Sequence, residues 1–291
     1  MFMEFPKAHR VSYDEDFKLS DVATTPPEDA PKDKKLEKRL DDLVEKLDDL
    51  QQRFFALDTH ALLLVFQAMD AAGKDSTIRH VMRGINPAGC QVSSFKQPSS
   101  EELDHDFLWR TARRLPERGR IGIFNRSYYE EVLVVRVHPE YLSAQRLPAE
   151  IDRESLWEDR YASIREHERH LARNGTLILK FWLNVSREEQ KQRFLSRLNE
   201  PHKNWKFSAA DIREREHWDA YMRAYEAALS ATSRPWAPWY AIPADDKDYM
   251  RAAVAETVVA TLDSLNLKFP EISGSDATRF DEARRLLEAN G

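Results

Sequence analysis

In residues 67–77, QAMDAAGKDST, a Gly73-Lys74 pair follows an apolar run and opens a helical stretch. This is the second half of the phosphate-binding loop G-x-x-x-x-G-K-[ST], in which backbone amides cradle phosphates, the lysine reaches them and the hydroxyl holds Mg²⁺. Three positions depart from that pattern: Ala68 replaces the first glycine, Asp75 stands in the hydroxyl position, and Asp70 lies inside the loop. Ala68 is compatible with the loop if its φ is negative, since only positive φ calls for glycine. A carboxylate at Asp75 would repel phosphate unless it turned away or met a metal, and Ser76 points elsewhere on the helix. The metal anchor then falls to Asp70, whose plainer reading is a turn residue.

A second constellation is IFNRSYYEE at 123–131. The third strand of ordinary nucleotide hydrolases ends in a magnesium-binding Asp, and Asn125 occupies that place here, which weakens a motor or GTPase reading. Arg126 follows at the carboxyl edge of the sheet, where ligands bind in open α/β folds, and suits a transferring phosphoryl group. Glu130 and Glu131 place a metal or an acceptor, or else are carboxylates favoured at a helix start. A third is SRLNEPHKNWKFSAADI at 196–212, where Arg197, Lys203 and Lys206 alternate with Trp205 and Phe207. A mobile basic segment of this kind over a phosphate site acts as a lid that excludes water; single-stranded nucleic acid is the other partner such a mixture serves.

The body around these residues is acidic. Net charge is −6 and the pI about 5.9, against a general nucleic-acid binder. Any phosphate site is therefore a local concentration of cations. Residues 110–120 carry five Arg against one Glu, and residues 187–206 carry six Lys or Arg against three Glu; each is either a solvated face or part of a polyanion track. Cys90 is the single cysteine, so a reducing cytosol is the expected compartment. The N-terminus has no apolar signal core, and the apolar run at 61–66 is far short of the ~20 residues of a membrane span, so neither export nor membrane insertion is expected. His167 and His170 in EHERH lack the H-E-x-x-H spacing and read as surface helix rather than a zinc site.

The elements that must hold this chemistry follow from the apolar pattern. TTPPEDAP at 24–31 breaks the chain and reads as a linker or strap. From Lys32 the seam Leu36, Leu40, Leu43, Leu47, Leu50, Phe54 and Leu57 predicts a long helix, laid on the domain or paired in an intermolecular coiled coil. Strands are predicted near 61–66, 91–95, 120–125, 176–185 and 238–242. Between them helices start at Gly73, near Ser100 and near Glu154, and one runs from Ser186 through the charged segment to about Ser230. A helix near 247–265 and a polar helical tail from Asp276 close the chain. Strands alternating with helices predict a parallel sheet sandwiched by helices: a strap and helix over 1–57, then one α/β domain over 58–291, with the basic segment about 196–215 as its lid.

The strings FQAMDAAGKDSTIRHV (66–81), ELDHDFLWR (102–110), IFNRSYYEEVLVVRVHPE (123–140), GTLILKFWLNVSREEQKQRF (175–194) and the long run from NEPHKNWKF to IPADDK (199–247) together resemble the polyphosphate kinase 2 family. The resemblance runs in order from about residue 32 to 265. It implies an α/β P-loop kinase fold like that of thymidylate kinase with a helical lid, and reversible phosphoryl transfer from inorganic polyphosphate to nucleotides with Mg²⁺, Mn²⁺ being the alternative metal. It explains the unusual loop: the family reads G-x-D-x-x-G-K, with its Asp assigned to metal and catalysis, here Asp70, and Ala68 as the departure. It also implies catalytic roles for Lys74, Arg126 and Glu130, and phosphate contacts at Ala71, Ala72, Gly73, Lys74, Asp75 and Ser76 and at the lid cations Arg197, Lys203 and Lys206. Nucleotide contacts are implied at Asp106, Arg110, Asn125 and Arg126. Glu130, where other subclasses continue to Asn, resembles the subclass that phosphorylates both AMP and ADP; guanine nucleotides are a further acceptor, and a homo-oligomer is expected. The rival readings are an ATP-dependent nucleoside monophosphate kinase and a noncatalytic polyphosphate-binding protein.

Overall fold

A computed structural model of the chain describes residues 2–271 and 274–289. The helix predicted from the leucine seam, α1 (Lys34–Leu57), leads into the first strand, β1 (Ala61–Gln67), and the loop then opens α2 (Lys74–Val81). Edge strand β2 (Cys90–Ser94) follows, then the single-turn helices α3 (Ser100–Leu103) and α4 (Trp109–Ala112), then β3 (Ile121–Asn125), α5 (Val134–Val137) and α6 (Leu156–Arg173). The second half runs β4 (Thr176–Asn184), α7 (Arg187–Asn199), α8 (Ala209–Glu214), α9 (Trp218–Thr232), β5 (Trp239–Pro243), α10 (Lys247–Asp263) and α11 (Gly274–Ala289).

The five strands form one parallel sheet in the order β2-β3-β1-β4-β5. Every residue of β1 is buried, as expected of a central parallel strand covered on both faces. Connections leave the carboxyl ends of β1 and β3 toward opposite sides of the sheet, which opens the crevice where α/β proteins bind ligands. On the helical layers, α10 packs on β4 and β5 and against α1 and α2, while α6 packs on β4 and on α9.

The leucine seam is used within the chain. Leu36, Leu40, Val44, Leu47, Leu50 and Phe54 are buried where α1 lies along α10, each such burial contributing roughly 1.5–3 kcal/mol. Val44 takes the place expected of Leu43, which is only partly buried, because a straight helix repeats every 3.6 residues rather than 3.5. The segment before α1 covers the β5 edge: Val11 N–H donates to Trp239 O at 2.9 Å and Ala241 N–H to His9 O at 2.9 Å, satisfying groups that an open edge would expose.

Two expectations need correcting. The continuous helix from Ser186 to about Ser230 is broken after Asn199 by a 3-10 turn at Pro201–Lys206 and again at Arg215–His217, because Pro201 has no N–H and cannot continue the ladder. The stretch EHERH is not wholly surface: Glu168 is fully buried and pairs with Lys180 at 2.7 Å. Among the described residues no cluster of three or more His, Cys, Asp or Glu is poised to hold a metal, and no helix is long and apolar enough to cross a membrane.

Candidate active site

The loop between β1 and α2 folds as a cradle, but the residues needing unusual backbone are not those of the textual pattern. Ala68 is not among the positive-φ residues; Ala71 is, at φ 63°, together with Gly73 at 111°. The first glycine of the pattern is therefore dispensable here, whereas Ala71 carries strain of the kind that persists where surrounding structure over-determines it. Gly73 is needed twice over, since a Cβ there would also lie 3.1 Å from Met250 Cε. Gly73→Ala should cost on the order of 1–3 kcal/mol of stability, read as a lowered unfolding midpoint.

Lys74 begins α2 and folds back over the loop, donating to Ala68 O at 2.7 Å and Met69 O at 3.3 Å. Burial lowers the ammonium below the ordinary lysine range, and the nearby Asp70 carboxylate opposes that. Across the crevice, Arg126 follows β3 in the left-handed region, φ 63°, and donates its backbone N–H to Phe66 O at 3.0 Å. That turn aims the guanidinium between two carboxylates, Asp70 at 2.9 Å and Glu130 at 3.5 Å. Glu130 and then Asp70 hold Arg126 above its usual range despite burial. Glu130 is itself pushed upward by burial and pulled back by Arg126 and Lys74. So the structure brings Asp70, Lys74, Arg126 and Glu130 into one cluster.

The remaining residues singled out from the sequence divide. Asp75 accepts from Asn125 Nδ2 at 2.5 Å, which ties its carboxylate to the end of β3. Ser76 accepts from Arg251 at 2.8 Å, so its hydroxyl faces α10. Ala71 and Ala72 present their carbonyls to Arg193. In the basic segment predicted as a lid, Arg197 pairs with Asp211 at 3.5 Å; Asp211 is raised by burial and next by the charge of Asp70. Lys203 is engaged within the same segment by Glu200 at 2.6 Å and Ser196 at 3.2 Å, and the side chain of Lys206 lies outside the described residues. Asp106 and Arg110 line a different cavity, of about 120 Å³, with Glu131, Gln145 and Arg160. There Arg160 bonds Glu131 at 3.3 Å and Gln145 at 2.5 Å. Adjacent in the chain, Glu130 thus faces Arg126 and Glu131 lines the cavity.

Sequence reasoning missed the braces. Arg193 is almost fully buried and donates to Ala72 O at 2.6 Å and to Ala244 O at 2.6 Å, welding the loop to the end of β5. Gln190, one helical turn earlier, donates to Asp70 O at 2.8 Å. Both looked like members of an exposed charged run; their only signal was the three-residue spacing on the face that also buries Phe194. Tyr221 and Tyr225 of α9 are likewise buried near Arg126 and Glu130, and burial raises both hydroxyls above their usual range.

A phosphate loop at the centre of a parallel sheet, an arginine at the neighbouring strand end and a basic segment alongside define a P-loop kinase fold. The chain belongs to the polyphosphate kinase 2 family, whose profile matches residues 30–270, and it is an enzyme of the phosphotransferase class. It is 61% identical over 245 residues to the ADP-polyphosphate phosphotransferase of Rhodopseudomonas palustris, covering 84% of this chain and 85% of that protein. To the AMP/ADP-polyphosphate phosphotransferase of Meiothermus ruber it is 46% identical over 226 residues, 78% of this chain and 80% of that one. The crystal structure of polyphosphate kinase 2 from Arthrobacter aurescens superposes with a TM-score of 0.86 at 37% identity, over 100% of this chain and 99% of that chain.

Proposed function

We propose that the protein transfers phosphoryl groups reversibly from inorganic polyphosphate to AMP and ADP in the cytosol, through the cluster Asp70, Lys74, Arg126 and Glu130. The observation that carries the reading is Arg126, fixed in a left-handed turn between Asp70 and Glu130 beside the phosphate-loop lysine. Two relatives support the donor and the acceptors, one an ADP-polyphosphate phosphotransferase and the other an AMP/ADP-polyphosphate phosphotransferase. In this reading residues 58–291 form the phosphotransferase domain, about 196–215 its lid, and 1–57 a strap and helix laid on it.

Phosphoryl transfer between polyanions needs positioning and charge neutralisation more than covalent chemistry. Lys74 and Arg126 neutralise equatorial phosphate oxygens, and Arg197 with Lys203 extends the positive surface along the donor chain. A nucleotide phosphate is already ionised near neutral pH, so no strong base is required and Asp70 acts through a metal rather than by abstracting a proton. The donor set suits a small hard cation: Mg²⁺ takes one or two carboxylates and completes its shell with water and phosphate oxygens, and Asp70 and Glu130 are the carboxylates at the cluster. When bound, the ion screens and aligns the phosphate oxygens. Asp106 and Arg110, beside their own cavity, serve the nucleotide.

Purified protein with Mg²⁺ and long-chain polyphosphate, offered AMP and ADP separately and followed by nucleotide chromatography, tests this directly. ADP and then ATP should form from AMP alone; ATP from ADP only would remove AMP as an acceptor, and activity confined to ATP as donor would overturn the donor. The acid limb of activity is a second check. Glu130 is raised by burial, so its ion pair with Arg126 is present above that raised pKa and lost as pH falls through it, at higher pH than for an ordinary carboxylate. Glu130→Gln should flatten that limb; an unchanged acid limb in the variant would assign it to the substrates' own phosphates.

A further inference from the structure

The lid leaves the body with α7 and returns at 214–217, between α8 and α9, and the return is fastened on two sides. On one side the His138 ring Nε2 lies 2.9 Å from Glu214 Oε2. A carboxylate only accepts, so that contact requires the proton on Nε2. Tyr221 donates to the same oxygen at 2.8 Å, and the His217 ring meets His138 edge to face at 4.8 Å. His138 Nδ1 faces Glu140 at 3.3 Å and Tyr141 stacks on the ring at 5.4 Å. On the other side Arg215 donates to Arg187 O at 3.0 Å and to Gln190 Oε1 at 2.7 Å. Gln190 is the residue that holds Asp70 O at 2.8 Å. Two consecutive residues, Glu214 and Arg215, therefore join His138 on the body to the backbone of the phosphate loop.

We propose that His138 is a positioning residue for phosphoryl transfer: it pins the lid's return through Glu214, and the pinned return holds the Asp70 end of the loop through Arg215 and Gln190. The proposal rests on the functional reading above. His138 touches none of Asp70, Lys74, Arg126 or Glu130 through the bonds just described, so its effect passes through Glu214. It sits where α5 ends, its N–H bonded to Val134 O at 2.8 Å, on a short helix packed against α9. A ring on so fixed a backbone is a suitable anchor for a segment that must move. Tyr221 extends the fastening inward, since the charge of Glu130 bears on its hydroxyl.

Amide hydrogen exchange of the full unliganded chain tests the latch without any donor. In His138→Ala, residues 208–217 and 68–73 should exchange about tenfold faster, the scale of one lost charge-assisted hydrogen bond, while α1 is unchanged. In steady state the KM for polyphosphate should rise about tenfold and that for nucleotide by less than about twofold, because the lid carries the donor cations. His138→Gln, whose amide can donate to the same carboxylate, should recover most of the loss, and Glu214→Gln should add little to His138→Ala. Should His138→Ala not fold, Glu214→Leu, which removes the acceptor, gives the same exchange readout. Unchanged exchange in both segments, acceleration that includes α1, or additive effects of the two substitutions would each overturn the latch. Failure of polyphosphate as donor would overturn the functional reading alone, because the exchange result decides the latch by itself.

Discussion

Arg126→Ala should lower kcat by ~10³ to 10⁵ with polyphosphate and nucleotide both saturating, the range attached to a transition-state arginine in phosphoryl transfer. Size alone does not distinguish a catalytic loss from a collapsed site, so the geometry matters. Arg126 is held by its own backbone turn and its N–H bond to Phe66 O, neither of which involves the side chain. Truncation therefore removes the guanidinium and leaves the turn. Asp70 and Glu130 would then face each other without the cation between them, which raises the acid-side sensitivity of the variant as well. Arg126→Lys should recover little, because a point charge cannot span two carboxylates and a phosphoryl group as a planar fork does. The measurement is initial rate by nucleotide chromatography beside a thermal melt; a loss under tenfold with an unchanged melt would remove Arg126 from the proposed role.

Lys180→Met should lower the unfolding free energy by about 3–5 kcal/mol, the cost of stranding one member of a buried ion pair. Lys180 and Glu168 are both inaccessible to solvent and 2.7 Å apart. The ammonium spends its remaining donors on Tyr129 Oη and Thr232 O, each at 2.8 Å. Glu168 also accepts from Tyr128 and Tyr129, each at 2.9 Å, and Thr232 Oγ1 accepts from Trp239 Nε1 at 2.9 Å and lies 2.9 Å from Tyr129 Oη. Burial pulls Lys180 down to about 8 and pushes Glu168 up, so the pair holds its charges only because each has the other. Adding Glu168→Gln to Lys180→Met should restore more than half the loss, since the amide oxygen still serves the tyrosines and no lone charge remains. Urea unfolding reads both; a loss below about 1 kcal/mol for Lys180→Met would mean that water reaches the site or that Glu168 is protonated at no cost.

The network also shows why part of the molecule stayed illegible. Glu168 stands in EHERH among charged and polar residues, and its helix is amphipathic in the ordinary way. Nothing local says that one glutamate of that string faces Lys180 on the neighbouring strand. Arg193 and Gln190 are the same case at the active site: their neighbours are charged, and the contacts that hold the loop go to backbone carbonyls more than 50 residues away. Carbonyls carry no residue identity, so a side chain recruited to hold a loop leaves little trace in the letters.

What the amino-acid sequence by itself determined is the part governed by local period and local chemistry. The buried strands, the glycine-lysine turn into α2, the α1 seam and the arginine at the end of β3 were all readable, and so was the family, because each depends on residues close together in the chain. Only the tertiary structure decided that positive φ falls on Ala71 and Arg126 and not on Ala68, and that Asp75 turns to Asn125. It also decided that Asp106 and Arg110 share a cavity with Glu131, and that Glu214 meets the His138 ring. These depend on which strand ends the sheet order sets side by side, and a hydrogen bond between distant segments costs the same chain entropy to close whatever residues lie between them.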